Sequence, residues 1–251
     1  MKKAGQSSRD MQQGRCSLRK FACLFGLGVM LIVICILLMG LRFGGVASIL
    51  ITLGCILVMK FIKVDLGRDI DFLIKREGHA SRGAAAEEKI GELLDSLDPA
   101  RFQVFHDVVL GYGNIDHLVV RRDGALFVIE TKSHYGTITH DGHELLRDGY
   151  ALEKDFIKQT LKNVLTLRSH VQDYAEREIW VNGVLCFTQG FVKVRKPVQG
   201  IQLLPGKWLL NHLQEGQAKA ANAEIADWLW ENVATLVTLP PKTSPPPLPS
   251  T

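Results

Sequence analysis

The stretch Ala125-Leu-Phe-Val-Ile-Glu-Thr-Lys132 decides how this chain is read. Leu126 to Ile129 form an unbroken apolar run behind the turn pair Asp123-Gly124, the pattern of a strand buried on both faces. Two charges follow where such a strand should stay apolar. Side chains alternate along a strand, so Glu130 and Lys132 share one face and Thr131 takes the other. A carboxylate and an ammonium at the rim of a core are costly unless they pair with each other or meet a metal. On this stretch alone, an ordinary strand-end ion pair and a functional site are both open.

The residues just upstream add to the picture. Phe102 to Leu110 and Ile115 to Val120 read as two more strands, separated by the turn Gly111-Tyr112-Gly113-Asn114. The short turn Arg122-Asp123-Gly124 makes the second and third strands an antiparallel hairpin. Asp116, near the start of one strand and on the face of Leu118 and Val120, then faces Glu130 and Lys132 near the end of the next. Two carboxylates and a lysine converge at one end of a sheet. Carboxylate oxygens are the donors that a hard divalent cation such as Mg²⁺ selects.

Ile115-Asp116-His117 followed by Phe127-Val-Ile-Glu-Thr-Lys132 resembles the nuclease-related domain (NERD) family, a branch of the PD-(D/E)xK nuclease superfamily. The resemblance runs from about Gly83 to Gly216. It implies a restriction-endonuclease-like α/β fold, a mixed sheet flanked by helices, and Mg²⁺- or Mn²⁺-dependent hydrolysis of nucleic acid, with DNA favoured over RNA. The family's Asp matches Asp116, and its Glu-x-Lys matches Glu130 and Lys132. Its Gly-Glu pair on the first helix falls on Ala86-Glu87, so Glu87 becomes a supplementary metal-site acid beside Asp116 and Glu130, while Ala86 departs from the pattern. Its helical Gln matches Gln159, suited to orienting the substrate or the attacking water.

The residues support these placements in part. In the helix expected over Gly83 to Leu97, the apolar stripe is Ile90, Leu93, Leu94 and Leu97, and Glu87 lies on that stripe one turn before Ile90. A first-turn acid favoured by the helix dipole is the plainer reading of Glu87. Asp155 to Tyr174 reads as a long amphipathic helix with Ile157, Leu161, Val164 and Val171 inward. Lys154, Lys158 and Lys162 form one basic edge, either a solvated face or a row of phosphate contacts. His140 and His143 on a Gly-punctuated hairpin between Tyr135 and Tyr150, with His134 just before it, read as exposed. His143-Glu144 fails as a zinc-protease motif because Arg147 stands where the second His belongs.

The 251 residues have room for one packed domain with appendages, and a net charge of +4 is too mild to mark a strongly basic nucleic-acid binder. None of the five cysteines forms a CxxC pair, which excludes a zinc ribbon or a dithiol redox motif. Residues 1–20 make a basic arm. Phe21 to Leu41 and Phe43 to Met59 are apolar runs long enough to read as two transmembrane helices, joined by a tight turn at Arg42. Basic residues flank both runs, which puts both termini and the enzyme-like domain on the cytoplasmic side of a lipid bilayer, here a bacterial inner membrane. Residues 60–82 form a juxtamembrane linker. The domain is expected over 83–216, with further strands at Trp180 to Phe187, Val192 to Val194 and Gly200 to Leu204. A helix over Lys207 to Gln214 and a C-terminal helix over Ala218 to Val237, in the segment 217–238, follow. The proline-rich tail, 239–251, suits a protein that reads proline motifs. Two rival readings stand beside the nuclease: a catalytically silent tethered scaffold that binds nucleic acid or protein, and a structural membrane protein whose polar triad is a buried ion network.

Overall fold

The computed structural model describes Met30, Ile34 and residues 81–110, 113–221 and 223–239. The basic arm, the linker up to residue 80 and the tail beyond Leu239 lie outside these residues, as does the transmembrane hairpin apart from Met30 and Ile34. No helix among the described residues is long and apolar enough to cross a membrane. The described residues from Arg82 onward fall in one compact unit, which holds all the described strands.

The unit opens with helix α1 (81–95), which buries Ile90 and Leu94. The strands β1 (Phe102–Leu110), β2 (Gly113–Arg121) and β3 (Leu126–His140) follow as an antiparallel meander. The hairpin register pairs His117 with Ile129 and Val120 with Leu126, as the alternation in the sequence predicts. Gly124 supplies the turn with φ 85, and the Cβ atoms of Ala221 and Ala226 crowd the place where its own Cβ would stand. β3 does not stop at Lys132. It bulges between Lys132 and Tyr135, then runs on to His140 and pairs with β4 (Leu145–Arg147), which pairs with β5 (Tyr150–Ala151).

Helix α2 (Phe156–Ala175) is capped by Asp155, whose carboxylate accepts the Lys158 N–H at 2.9 Å. It is the crossover that returns the chain to β6 (Val181–Val192), parallel to β3, and β7 (Ile201–Pro205) pairs parallel to β6. The sheet is therefore mixed. Of the strand expected at Val192 to Val194, only Val192 belongs to a strand, as the end of β6. A 3₁₀ turn at Gly206–Trp208 leads into α3 (Leu209–Glu215), and α4 (Ala223–Leu236) closes the unit. The last helix starts later than the apolar pattern predicts. The Asn182 side chain clamps the Lys219 backbone through both its N–H and its carbonyl, which holds that segment irregular.

Helices cover both faces of the sheet. On one face, Phe156, Val164, Leu167 and Val171 of α2 and Leu229 and Val233 of α4 pack over Leu118, Val120, Leu126, Val128, Leu185 and Phe187. On the other, Ile90 and Leu94 of α1 and Leu209 and Leu213 of α3 pack over Val119, Phe127, Ile129, Val184 and Cys186. The alternation of β2, β3 and β6 thus feeds two cores at once. Even-numbered residues of β2 and the first part of β3 look toward α2. That parity carries Asp116 and Glu130 to the helix that bears Gln159.

Candidate active site

Glu130 sits at the point where β3 passes under the first turns of α2, with 2% of its surface exposed. A carboxylate so placed needs donors, and it has three. Lys132 Nζ donates to Oε1 at 2.6 Å, Gln159 Nε2 donates to the same oxygen at 2.6 Å, and Asn163 Nδ2 donates to Oε2 at 3.1 Å. Gln159 and Asn163 stand one turn apart on α2, so a single helix face delivers both amides. The Lys132 ammonium also lies 4.7 Å from the centroid of the Phe156 ring, which holds it against the first turn of α2.

Asp116 lies one position beyond the His117–Ile129 pair and so faces Glu130 across the hairpin. Its Oδ2 accepts the Thr131 N–H at 2.7 Å. Part of the residue's surface stays open, yet burial of the carboxyl raises its pKa well above the ordinary 3.8. The charges of Glu130 and then Glu87 push the same way, while Lys132 and the Thr131 N–H pull back. Glu87, half-buried on α1, is thus close enough to act on Asp116. Among the described residues no group of three or more His, Cys, Asp or Glu side chains is placed to hold a metal ion. The acids that converge here are two facing carboxylates with a third within electrostatic reach.

Around this core the sequence reading missed four residues. Asn163 reads as one more helix position, and only its i+4 spacing from Gln159 signals it. Its Nδ2 also donates to the Asn114 carbonyl at 3.2 Å, and Asn114 Nδ2 donates to Asp107 Oδ1 at 2.9 Å. Asp107 is buried and has φ 51, interrupting the β1–β2 ladder between the His106–His117 and Val108–Ile115 pairs. The fourth is His106, which bridges β2 to α1. Its Nε2 lies 3.0 Å from Asp95 Oδ1 and its Nδ1 lies 2.8 Å from His117 Nδ1. A proton given to Asp95 leaves His106 Nδ1 as acceptor, so His117 donates and its buried Nε2 keeps an unpartnered lone pair. Burial, and the neighbouring His106, lower the His117 pKa to about 3.

The basic edge is only partly helical. Lys158 and Lys162 are exposed on α2, but Lys154 precedes the Asp155 cap and lies off the helix. Of the three hairpin histidines, His134 packs against Phe156 and reaches Glu153 Oε1 at 3.1 Å, and His140 Nδ1 accepts the Gly142 N–H. Cys186 is buried beneath α1 and α3, and burial pushes its thiol up to about 12, so it is no nucleophile.

Comparison with known proteins follows the same outline. Over 88 residues the chain is 31% identical to an uncharacterised protein of Bacillus anthracis, a match covering 33% of this chain and 41% of that one. No solved structure matches. Residues 82–188 match the family described as "Nuclease-related domain" (NERD), a segment that runs from the start of α1 into β6 and includes Glu87, Asp116, Glu130, Lys132 and Gln159. The chain carries a nuclease-related domain over residues 82–188.

Proposed function

We propose that this domain hydrolyses phosphodiester bonds in nucleic acid, in the manner of the PD-(D/E)xK nucleases, with Asp116, Glu130 and Lys132 at its centre. The observation that carries the reading is the buried Glu130 carboxylate, held by Lys132, Gln159 and Asn163 and faced by Asp116. The donor set suits a hard divalent cation. Mg²⁺ is commonly bound through one or two carboxylates and keeps several waters, so two facing carboxylates with Glu87 nearby are enough. Asp116 and Glu130 would hold the ion, and Glu87 would act directly or through water. A bound Mg²⁺ or Mn²⁺ would polarise the phosphoryl oxygens and acidify a water molecule.

The chain's own groups do the rest. Lys132 is a compact charge beside the carboxylates, suited to stabilising the negative charge that builds on the reacting phosphate. Gln159 and Asn163 are positioning residues: each spends an amide N–H on Glu130, fixing its orientation. Lys158 and Lys162 offer phosphate contacts along α2. The hairpin over 21–59 would tether the domain to the cytoplasmic face of a membrane, and cysteine labelling from either side tests that placement.

A second reading, a scaffold that binds nucleic acid without cutting it, draws on one observation. The Glu130 oxygens already accept three protein hydrogen bonds, as in a closed ion network. Turnover separates the two. The full-length chain, incubated with labelled DNA and RNA in Mg²⁺ or Mn²⁺, is expected to cleave, and Asp116→Asn, Glu130→Gln and Lys132→Ala are each expected to lose most of that activity. Binding without cleavage in the wild type would leave the scaffold.

A further inference from the structure

Beyond the bulge that follows Lys132, β3 and β6 run on together past the end of the two cores. The register pairs Tyr135 with Gln189 and Thr137 with Phe191. Tyr135 is 64% exposed and Phe191 59% exposed, a costly way to end two strands whose earlier residues are nearly all buried. From Gln189 onward the chain alternates. Gln189, Phe191, Lys193 and Arg195 are exposed, while Val192 and Val194 pack against the core. The Lys193 N–H donates to the Ile138 carbonyl, so the basic segment stays attached to β3. On the adjoining β4, the Arg147 guanidinium lies 5.5 Å from the Tyr135 ring.

Only some of the unit's cations are held by carboxylates. Arg121, Arg122, Arg168 and Arg177 each pair with a carboxylate. Among the described residues, no ion pair engages Lys193 or Arg195, and Arg147 makes no direct ion pair, although its charge acts on the Glu153 carboxylate. The neighbouring Asp148 is turned inward, its Oδ1 accepting the Thr137 N–H at 2.7 Å. Lysines alone would guard a sheet edge against other strands, but exposed aromatic rings beside them defeat that purpose. Open rings beside unpaired cations match a ligand that presents flat bases and a phosphate backbone together, and a duplex hides its bases.

We propose that Tyr135 and Phe191, with Arg147, Lys193 and Arg195, form a stacking platform for single-stranded nucleic acid entering the candidate active site. The proposal rests on the nuclease reading and names the form of its substrate. Tyr135 is three residues beyond Lys132, and the bulge between them cuts the advance along the sheet to the two residues from Phe187 to Gln189, about 7 Å. His134, next to Tyr135, contacts Glu153, the residue before Lys154, which brings the segment leading into α2 beside the platform. Base–aromatic stacking is tolerant of sequence, and cationic side chains track the backbone.

The test is fluorescence anisotropy on the full-length chain in EDTA, with a labelled oligothymidine as probe and a duplex of equal length as comparison. Tyr135→Ala with Phe191→Ala is expected to weaken oligothymidine binding about ten-fold or more while changing duplex binding little. Tyr135→Phe with Phe191→Trp should retain the affinity. Because these side chains are exposed, the variants should melt like the wild type. Unchanged oligothymidine affinity in the alanine variant, or an equal loss for duplex, overturns the platform whether or not the enzyme turns over. Binding that depends on the rings in a protein that cleaves nothing would instead overturn the nuclease reading and keep the platform.

Discussion

Lys132 and Glu130 answer differently to removal if their pair is part of a cation site, and the structure sets the size of the difference. Lys132→Ala leaves Glu130 at 2% exposure without its ammonium. Removing one partner of a buried pair costs about 3–5 kcal/mol. Gln159 and Asn163 still donate to the carboxylate, and Lys132 itself was 14% exposed, so the lower end applies, about 3 kcal/mol or about 6–12 °C in Tm. Glu130→Gln keeps the shape and leaves the ammonium against Phe156, so it costs about 1–3 kcal/mol.

The response to Mg²⁺ then separates the readings. At about a hundred times Kd, a ligand that binds only the folded state stabilises it by about 2.7 kcal/mol, worth about 5–10 °C for a domain of this size. Thermal melts of the full-length chain, with and without Mg²⁺, should give that rise in the wild type. Lys132→Ala should gain at least as much, because a competing positive charge is gone, and Glu130→Gln should gain little. A wild type indifferent to Mg²⁺ and Mn²⁺, or a Glu130→Gln variant that responds as fully as the wild type, would refute the assignment of these carboxylates to a cation.

Other expected outcomes follow from the packing and the charges. Gly183→Ala should cost about 1–3 kcal/mol in a denaturant titration, because Val164 and Ile201 already occupy the space its Cβ would need and α2 rests on β6 there. Changing Lys158 and Lys162 together to Gln should weaken binding to unrelated sequences alike and lower the salt slope of binding by roughly one to two units. Cys186 should resist iodoacetamide in the native protein and react only on unfolding.

The meander was legible because each of its signals is local. The turn at Asp123-Gly124, the apolar run at Leu126 and the parity of Asp116 and Glu130 together fix which face the acids take. The parallel partner of β3 is another matter. Trp180 to Phe187 reads as a strand, but its extension to Val192, its place beside β3, and the flanking of both faces by helices depend on contacts far apart in sequence. The same holds within the site. Gln159 was found through family resemblance, whereas its neighbour Asn163 carries no signal except its helical spacing. Asp107 reads as an ordinary strand residue, and nothing in its side chain announces φ 51 or the bond from Asn114. The start of α4 was misplaced for a similar reason, since apolar spacing cannot register the Asn182 clamp on Lys219.

Adjacent residues on β2 are driven toward neutrality from opposite directions. Burial and nearby carboxylates favour the protonated acid at Asp116, while burial favours the unprotonated ring at His117. A cation beside Asp116 reverses the balance, because it stabilises the carboxylate that Glu130 and Glu87 oppose. Binding must then release a proton, and affinity for Mg²⁺ should rise with pH until Asp116 is ionised without help. The stability of the metal-free protein runs the opposite way with pH. A folded pKa raised above the unfolded value favours folding fully below about 3.8 and loses that contribution as pH rises through the raised value. Asp116→Asn should remove this part of the slope. Calorimetry of Mg²⁺ binding in two buffers of different ionisation enthalpy measures the released proton directly. Heats that are independent of buffer, with wild-type affinity flat across this pH range, would show that Asp116 is not a ligand whose proton the cation displaces.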